Sequence, residues 1–174
     1  MINKIYLEYL LLKGDQQSVQ QVLSIIQPRL QLFAYSMLKD KSAAQDAVQE
    51  SMLAIIAGLR KLKNPKAFHS WIYQLTRNKC IDLIRKNRKY KNDIDVDLLD
   101  QSLITVDNSD NDDRNMDMIN MIRKLPDSQQ SVIHLFYYSG FTIIEIAEIL
   151  HKPAGTIKSL LFDARANLKH YFGE

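Results

Sequence analysis

Cysteine occurs once, at Cys80, in a chain of 174 residues. That excludes an internal disulfide framework and any cysteine-based zinc cage. Glycine (5) and proline (4) are scarce, while leucine, isoleucine, lysine and glutamine are plentiful, a bias toward helices over strands. No apolar run approaches the roughly 18 residues that a membrane span requires. The first thirteen residues carry Glu8 and no small-residue cleavage site, so no signal peptide is expected. The four histidines, His69, His134, His151 and His170, fall in no HExxH or other ligand spacing. A glycine-rich phosphate loop and a nucleophile elbow are also missing, so no catalytic residue, metal or cofactor is expected. What is present, 46% hydrophobic and 25% charged residues, is globular composition. The expectation is a soluble protein of a reducing compartment, built as one domain or two small ones.

The net charge of +3 conceals three blocks. Residues 1–91 hold 16 Lys and Arg against 6 Asp and Glu; residues 92–113 hold 8 Asp and no Lys or Arg; residues 114–174 hold 7 against 6. A basic block, an acidic segment and a near-neutral block point to two domains, 1–91 and 114–174, joined by a linker over 92–113. The linker lacks aromatics and sustained periodicity, which suits a flexible acidic tether. Asp93, Asp95 and Asp97 invite a calcium reading, but Leu98 and Ile104 stand where an EF-hand needs Gly and Glu.

In the basic block, Val19, Val22, Leu23, Ile26, Leu30, Phe33 and Met37 recur at helical spacing, with Pro28 expected to break or kink the helix. A second helix begins near Ser42. Val48, Met52, Ile55 and Leu59 share the side that should face a core, and Asp46, Gln49, Glu50 and Leu53 share the other. An acidic face with a leucine is either an incidental surface or a dock for a basic helix. After the Asn64-Pro65 turn, Trp71 and Tyr73 precede a run of seven positive charges between residues 77 and 91, opposed only by Asp82. Such density of like charge suits a polyanion, and neighbouring aromatics suit single-stranded nucleic acid. A solvated charged face is the plainer alternative.

The last block reads as consecutive short helices. Residues 114–124 form one; Asp127 is a plausible cap for the next, which Gly140 ends. Thr142 and Glu145 form a capping-box pattern ahead of a helix through Leu150. His151 and Lys152 make the turn, a place where glycine adopts positive φ more easily, and Pro153 opens a helix over 154–169. On it Ile157, Leu161, Ala164 and Leu168 share one face, and Lys158, Ser159, Phe162, Arg165 and Lys169 the other. That is the pattern of a helix-turn-helix with an outward basic face.

These segments together resemble a bacterial sigma factor of the extracytoplasmic-function group (group IV of the sigma-70 family). The stretch from Ser42 to Glu50 (SAAQDAVQE) is similar to the family's polymerase-gripping segment in region 2. Phe68 to Lys89 (FHSWIYQLTRNKCIDLIRKNRK) is similar to the segment that melts and reads the minus-10 element. Region 4 is represented by Leu125-Pro126-Asp127-Ser128-Gln129-Gln130, by Glu145 to Leu150 (EIAEIL) and by Gly155 to Ser159 (GTIKS).

The resemblance implies an all-α protein of two small helical domains, a region 2 bundle over 1–91 and a region 4 helix-turn-helix over 114–174. It implies a transcription initiation factor rather than an enzyme, without cofactor or small-molecule substrate. Its partners would be core RNA polymerase, through the β′ clamp helices and β flap, promoter DNA, and in many members an anti-sigma factor that holds the protein at the inner membrane face of the bacterial cytoplasm. Asp46, Gln49, Glu50 and Leu53 would meet polymerase. Trp71, Tyr73, Arg77, Asn78, Lys79, Arg85, Lys86 and Arg88 would form the minus-10 surface, with Trp71 and Tyr73 as packing or stacking neighbours and Asn78 at the position that holds a flipped base. Thr156, Lys158, Ser159, Phe162 and Arg165 would meet the minus-35 element. Leu160 and Asp163 depart from the family's basic pattern on the reading helix. The competing reading is a helix-turn-helix regulator that binds duplex DNA without polymerase, which leaves the basic aromatic helix and the acidic face of the first block without a role.

Overall fold

The computed structural model describes residues 11, 15–59, 61–62, 64–92 and 121–172, with the side chains of 88–92 and 172 excepted. Every regular element among them is helical. The acidic segment, its Asp93, Asp95 and Asp97, and most of the helix expected over 114–124 lie outside the described residues.

Helix α1 (Gln16–Leu38) starts at Asp15, whose carboxylate accepts the Ser18 N–H at 2.7 Å. It ends at Lys39, in the left-handed conformation with φ 58°. Pro28 was expected to break or kink this helix; α1 continues through it without a break. The carbonyl that Pro28 leaves without a partner belongs to Ser24; both residues are exposed, so water replaces the lost bond at small cost. Helix α2 is Lys41–Leu59. A short 3-10 turn, Pro65–Ala67, is capped by Asn64, whose side chain accepts from the Lys66 N–H at 3.0 Å. It leads into α3 (Phe68–Asn92).

The second half contains α4 (Asp127–Ile133), a π-helical turn (His134–Tyr138), α5 (Ile143–Leu150) and α6 (Ala154–Phe172). Asp127 does not cap α4: Pro126 holds that position, and Asp127 instead pairs with Lys39 at 3.3 Å. Gly140, with φ 71°, turns the chain after the π segment. The Thr142–Glu145 capping box is complete: each side chain accepts the other's backbone N–H, at 3.3 and 2.7 Å. His151 sits at φ 51°, so the tight turn places an L-residue where glycine is easier.

Helices α1, α2 and α3 pack on one another, and α4 and α5 each pack on α6 and on the π turn. The first group buries Val22, Ile26, Leu30, Phe33, Val48, Ile55, Phe68 and Ile72; the second buries Val132, Leu135, Ile146, Ile149, Ile157 and Leu161. Burial of each such side chain contributes about 1.5–3 kcal/mol, so each trio has a core of its own. The two cores join. Helix α3 packs against α5, and α1 against α4 and the π turn.

The junction is aromatic and polar. His69 stacks on Phe141 with centroids 4.3 Å apart, and Tyr73 meets Phe141 edge to face at 4.9 Å and Phe33 at 5.2 Å. The Tyr73 hydroxyl and Ser139 Oγ share a hydrogen bond of 3.0 Å. Arg29 donates to the Tyr138 carbonyl at 3.1 Å. Lys39 donates to Gln130 Oε1, while Gln130 Nε2 donates to the Arg123 and Leu125 carbonyls at 3.0 and 2.7 Å. His134 lies between Phe33 (6.1 Å, 25°) and Tyr138 (5.6 Å, 13°).

Candidate functional site

Three surfaces carry the residues singled out in the sequence. On α2, Asp46, Gln49, Glu50 and Leu53 are all exposed, because Val48 and Ile55 turn the opposite side into the core. Leu53 is 71% exposed, and Ile56, one turn on, is 49% exposed. Ile56 was not anticipated. Its i+3 relation to Leu53 was the available signal, since that spacing puts both on one stripe. The stripe is apolar with an acidic margin.

Helix α3 lies beside this stripe. Lys79 bridges to Glu50 at 3.1 Å, so one residue expected at DNA and one expected at polymerase hold each other here. Trp71, Asn78 and Arg85 are seven apart and share a side of α3; Asn78, Arg85 and Lys86 are exposed, and Arg77 and Lys79 half-buried. Partial burial lowers the Arg77 pKa from its ordinary value, which leaves the guanidinium charged. The Arg88 side chain lies outside those described. Cys80 is buried on the opposite side with His69, Tyr73 and Thr76, and loss of solvent pushes its thiol up to about 12. It is an inert packing residue.

Two aromatics fall on the packing side. Tyr73 is 1% exposed and spends its hydroxyl on Ser139, so in this conformation it meets the second half rather than nucleic acid. Burial pushes its phenol pKa upward, opposed in part by the Ser139 bond. Trp71 lies against α2 at Gly58, where an added Cβ would come within 2.8 Å of the indole. Spacing alone could not reveal either role, because the contacts come from other helices.

On α6, Thr156, Lys158, Ser159, Phe162, Arg165 and the departing Asp163 are exposed, Phe162 by 72%. Ile157, Leu161 and Ala164 are buried, and Leu160 packs partly on the core, so it takes no place on the outward face. Ser159 Oγ donates to the Gly155 carbonyl at 3.2 Å, which fixes its rotamer and leaves it an acceptor. Arg165 Nε donates to the Tyr137 hydroxyl at 2.8 Å. Tyr137 is another residue the sequence did not single out, since its position depends on the π turn.

An acidic and apolar helix face, a basic helix beside it and an outward-facing helix-turn-helix thus occur on one chain. Residues 24–90 match the family model described as Sigma-70 region 2, and residues 115–168 the one described as Sigma-70, region 4. The chain belongs to the sigma-70 family. It is 30% identical to the ECF RNA polymerase sigma factor SigW of Bacillus subtilis (strain 168), over 90% of each chain. The ECF RNA polymerase sigma factor SigM of the same organism is 27% identical, over 79% of this chain and 84% of that protein. Among solved structures, the sigma factor RpoE in complex with the anti-sigma factor NepR from Bartonella quintana superimposes with a TM-score of 0.71 at 26% identity, covering 88% of this chain and 96% of that one. CnrH, solved with the cytosolic domain of CnrY, shares the fold at a TM-score of 0.62 and 20% identity, over 98% and 97% of the two chains.

The chain is thus an ECF sigma factor, an initiation factor that directs RNA polymerase to promoters. Sigma factors are non-enzymatic transcription factors. Among the described residues no helix is long and apolar enough to cross a membrane.

Proposed function

We propose that this sigma factor acts through three divided surfaces, without chemistry of its own, in the bacterial cytoplasm. Residues 1–91 form the region that grips core polymerase through Asp46, Gln49, Glu50 and Leu53, with Ile56 added to that surface. The acidic margin and apolar stripe of α2 suit a basic amphipathic partner such as the β′ clamp helices. Asn78, Arg85 and Lys86 present donors on α3 for the minus-10 strand, and Asn78 holds an extruded base. Extrusion costs a few kcal/mol, which pocket contacts offset. Residues 114–174 carry the minus-35 reader, with Lys158 and Ser159 at base edges and Phe162 against a thymine methyl.

The shared core of the two halves sets a condition on this activity. The two promoter elements lie about two turns of DNA apart, whereas here Tyr73, His69 and Phe141 are in direct contact. The halves therefore part when both elements are engaged. Residues 92–113, extended, reach roughly 70 Å, enough for that separation. The likeness to the sigma factor RpoE, solved in complex with an anti-sigma factor, supports a partner of that kind here too.

The observation that carries this reading is the coexistence of the exposed α2 face and the exposed α6 face on one chain. The regulator alternative explains only the second. Run-off transcription on a genomic fragment library, with core polymerase in the presence and absence of this chain, tests it. Defined transcripts should appear only with both. Sequence-specific footprints by the chain alone, with no polymerase-dependent transcripts, would support the regulator and defeat the proposal.

A further inference from the structure

The guanidinium of Arg165 is held in place on α6. Its Nε–H bonds the Tyr137 hydroxyl at 2.8 Å, and its carbon lies 5.7 Å from the Phe136 ring centre and 5.8 Å from that of Tyr137. The two rings stand edge to face, 5.0 Å apart at 76°, so the cation rests in a corner of aromatic surface. The π turn builds this corner. The Ser139 N–H reaches back five residues to the His134 carbonyl at 3.1 Å. His134 and Leu135 remain buried while Phe136 and Tyr137 meet the side chain of Arg165 on α6. Such turns recur at functional sites.

Two sets of donors remain. The Nη groups of Arg165 make no hydrogen bond among the described residues. The Tyr137 hydroxyl accepts from Arg165 and so keeps its own O–H to donate, and Tyr137 is 54% exposed. Position decides what they meet. Arg165 is the twelfth residue of α6, about 16 Å along the axis from its first residue. Base edges are read by the first turns of such a helix, in a groove about 12 Å wide. A side chain this far along meets the sugar-phosphate backbone at the groove's edge. A planar fork of Nη donors matches phosphate oxygens.

We propose that Tyr137 and Arg165 together form a clamp for one phosphodiester of the duplex at the border of the minus-35 element. Tyr137 orients the fork end-on and adds its O–H as a further donor. Because the fork is ordered before binding, less side-chain freedom is lost on contact. The clamp rests on α6 being the DNA face.

The test uses the full chain with core polymerase, a labelled promoter duplex recovered from the run-off library, and the same duplex with its upstream element altered. Tyr137→Phe keeps the ring and removes the hydroxyl. It should weaken binding about fivefold on both duplexes, leaving their ratio and the salt dependence unchanged, because no charge is removed. Arg165→Ala should lower the slope of log affinity against log salt by about 0.9, and adding Tyr137→Phe to it should cost clearly less than it does in the wild-type background, because only the hydroxyl's own contact remains to be lost. Arg165→Lys should keep the slope and lose the coupling to Tyr137. The clamp is wrong if Tyr137→Phe changes the preference between duplexes, has no effect, or adds fully to Arg165→Ala. If Lys158→Ala and Phe162→Ala also leave binding unchanged, the DNA face itself is misplaced. If those two weaken binding and Tyr137→Phe does not, the clamp alone fails.

Discussion

Inside the first half, α1, α2 and α3 bury Val22, Ile26, Leu30, Ala44, Ala47, Val48, Ile55 and Ile72, side chains without a polar atom to satisfy. Between the halves the buried set is His69, Tyr73, Gln130, His134 and Ser139 around Phe33 and Phe141. An aliphatic core loses its whole benefit when opened to water. A polar and aromatic junction loses less, because water takes over its hydrogen bonds. His134 makes the point sharply: its Nε2 is buried and has no partner, a cost that opening removes. Junctions of this chemistry resemble the separable interfaces between domains. The difference between the two regions accords with a protein whose halves each persist and whose contact is provisional.

The comparison can be broken at four points, in descending size of effect. Leu30→Ala strikes the aliphatic core and should cost about 3 kcal/mol of global stability, read by urea denaturation. A loss below about 1 kcal/mol would mean that this core is not what holds the first half together.

The second point is pH. Burial, reinforced by the charge of Arg29 and opposed by a bond to the Arg29 backbone, lowers His134 to about 4. A depressed value means that the folded state binds fewer protons than the unfolded one. The associated stability is complete above about pH 6.5 and is lost as pH falls toward 4. It amounts to roughly 3 kcal/mol over that window. Energy transfer between labels on α2 and α6 should report the halves separating as pH drops through this range, and His134→Phe should flatten the profile. Cys80 will not compete for thiol labels at neutral pH, because its own pKa is about 12. An identical profile in wild type and variant would move the pH-sensitive group elsewhere.

Third, Tyr73→Phe removes one hydrogen bond across the junction and leaves Ser139 Oγ unpartnered there, at a cost of about 1 kcal/mol. It should raise the fraction of separated molecules several-fold without changing the helix content measured by circular dichroism. Fourth, Lys39→Ala breaks the bridge to Asp127, whose side chain is 74% exposed, together with the hydrogen bond to Gln130 Oε1. The bridge itself contributes under about 1 kcal/mol, and salt should erase most of that difference. If Lys39→Ala matters more than Tyr73→Phe, the junction is electrostatic rather than aromatic.

Much of the fold was legible because it is local. The Thr142–Glu145 box, the positive φ at His151 and the buried face of Ile157, Leu161 and Ala164 follow from neighbours within one or two turns. The exposure of Asp46, Glu50, Asn78 and Lys158 was legible for the same reason: helical period separates wet from dry faces. The failures are also physical. Pro28 was read as a break or a kink because proline removes a bond, and no break occurs because the orphaned carbonyl of Ser24 is solvated. Tyr73 was read as a packing or stacking neighbour of the basic run, and the packing partner it has here, Ser139 of a distant segment, left no local signal.

Helix positions, the Thr142–Glu145 cap, the three-block charge pattern and the sigma-70 motifs were set by the sequence alone, since propensity, capping and periodicity act over a few residues. Only the tertiary structure decided that the two cores meet, that Glu50 and Lys79 neutralise each other, and that a π turn delivers Tyr137 to Arg165. Those outcomes depend on which faces pack when residues as many as 109 positions apart approach one another, and no local pattern encodes that.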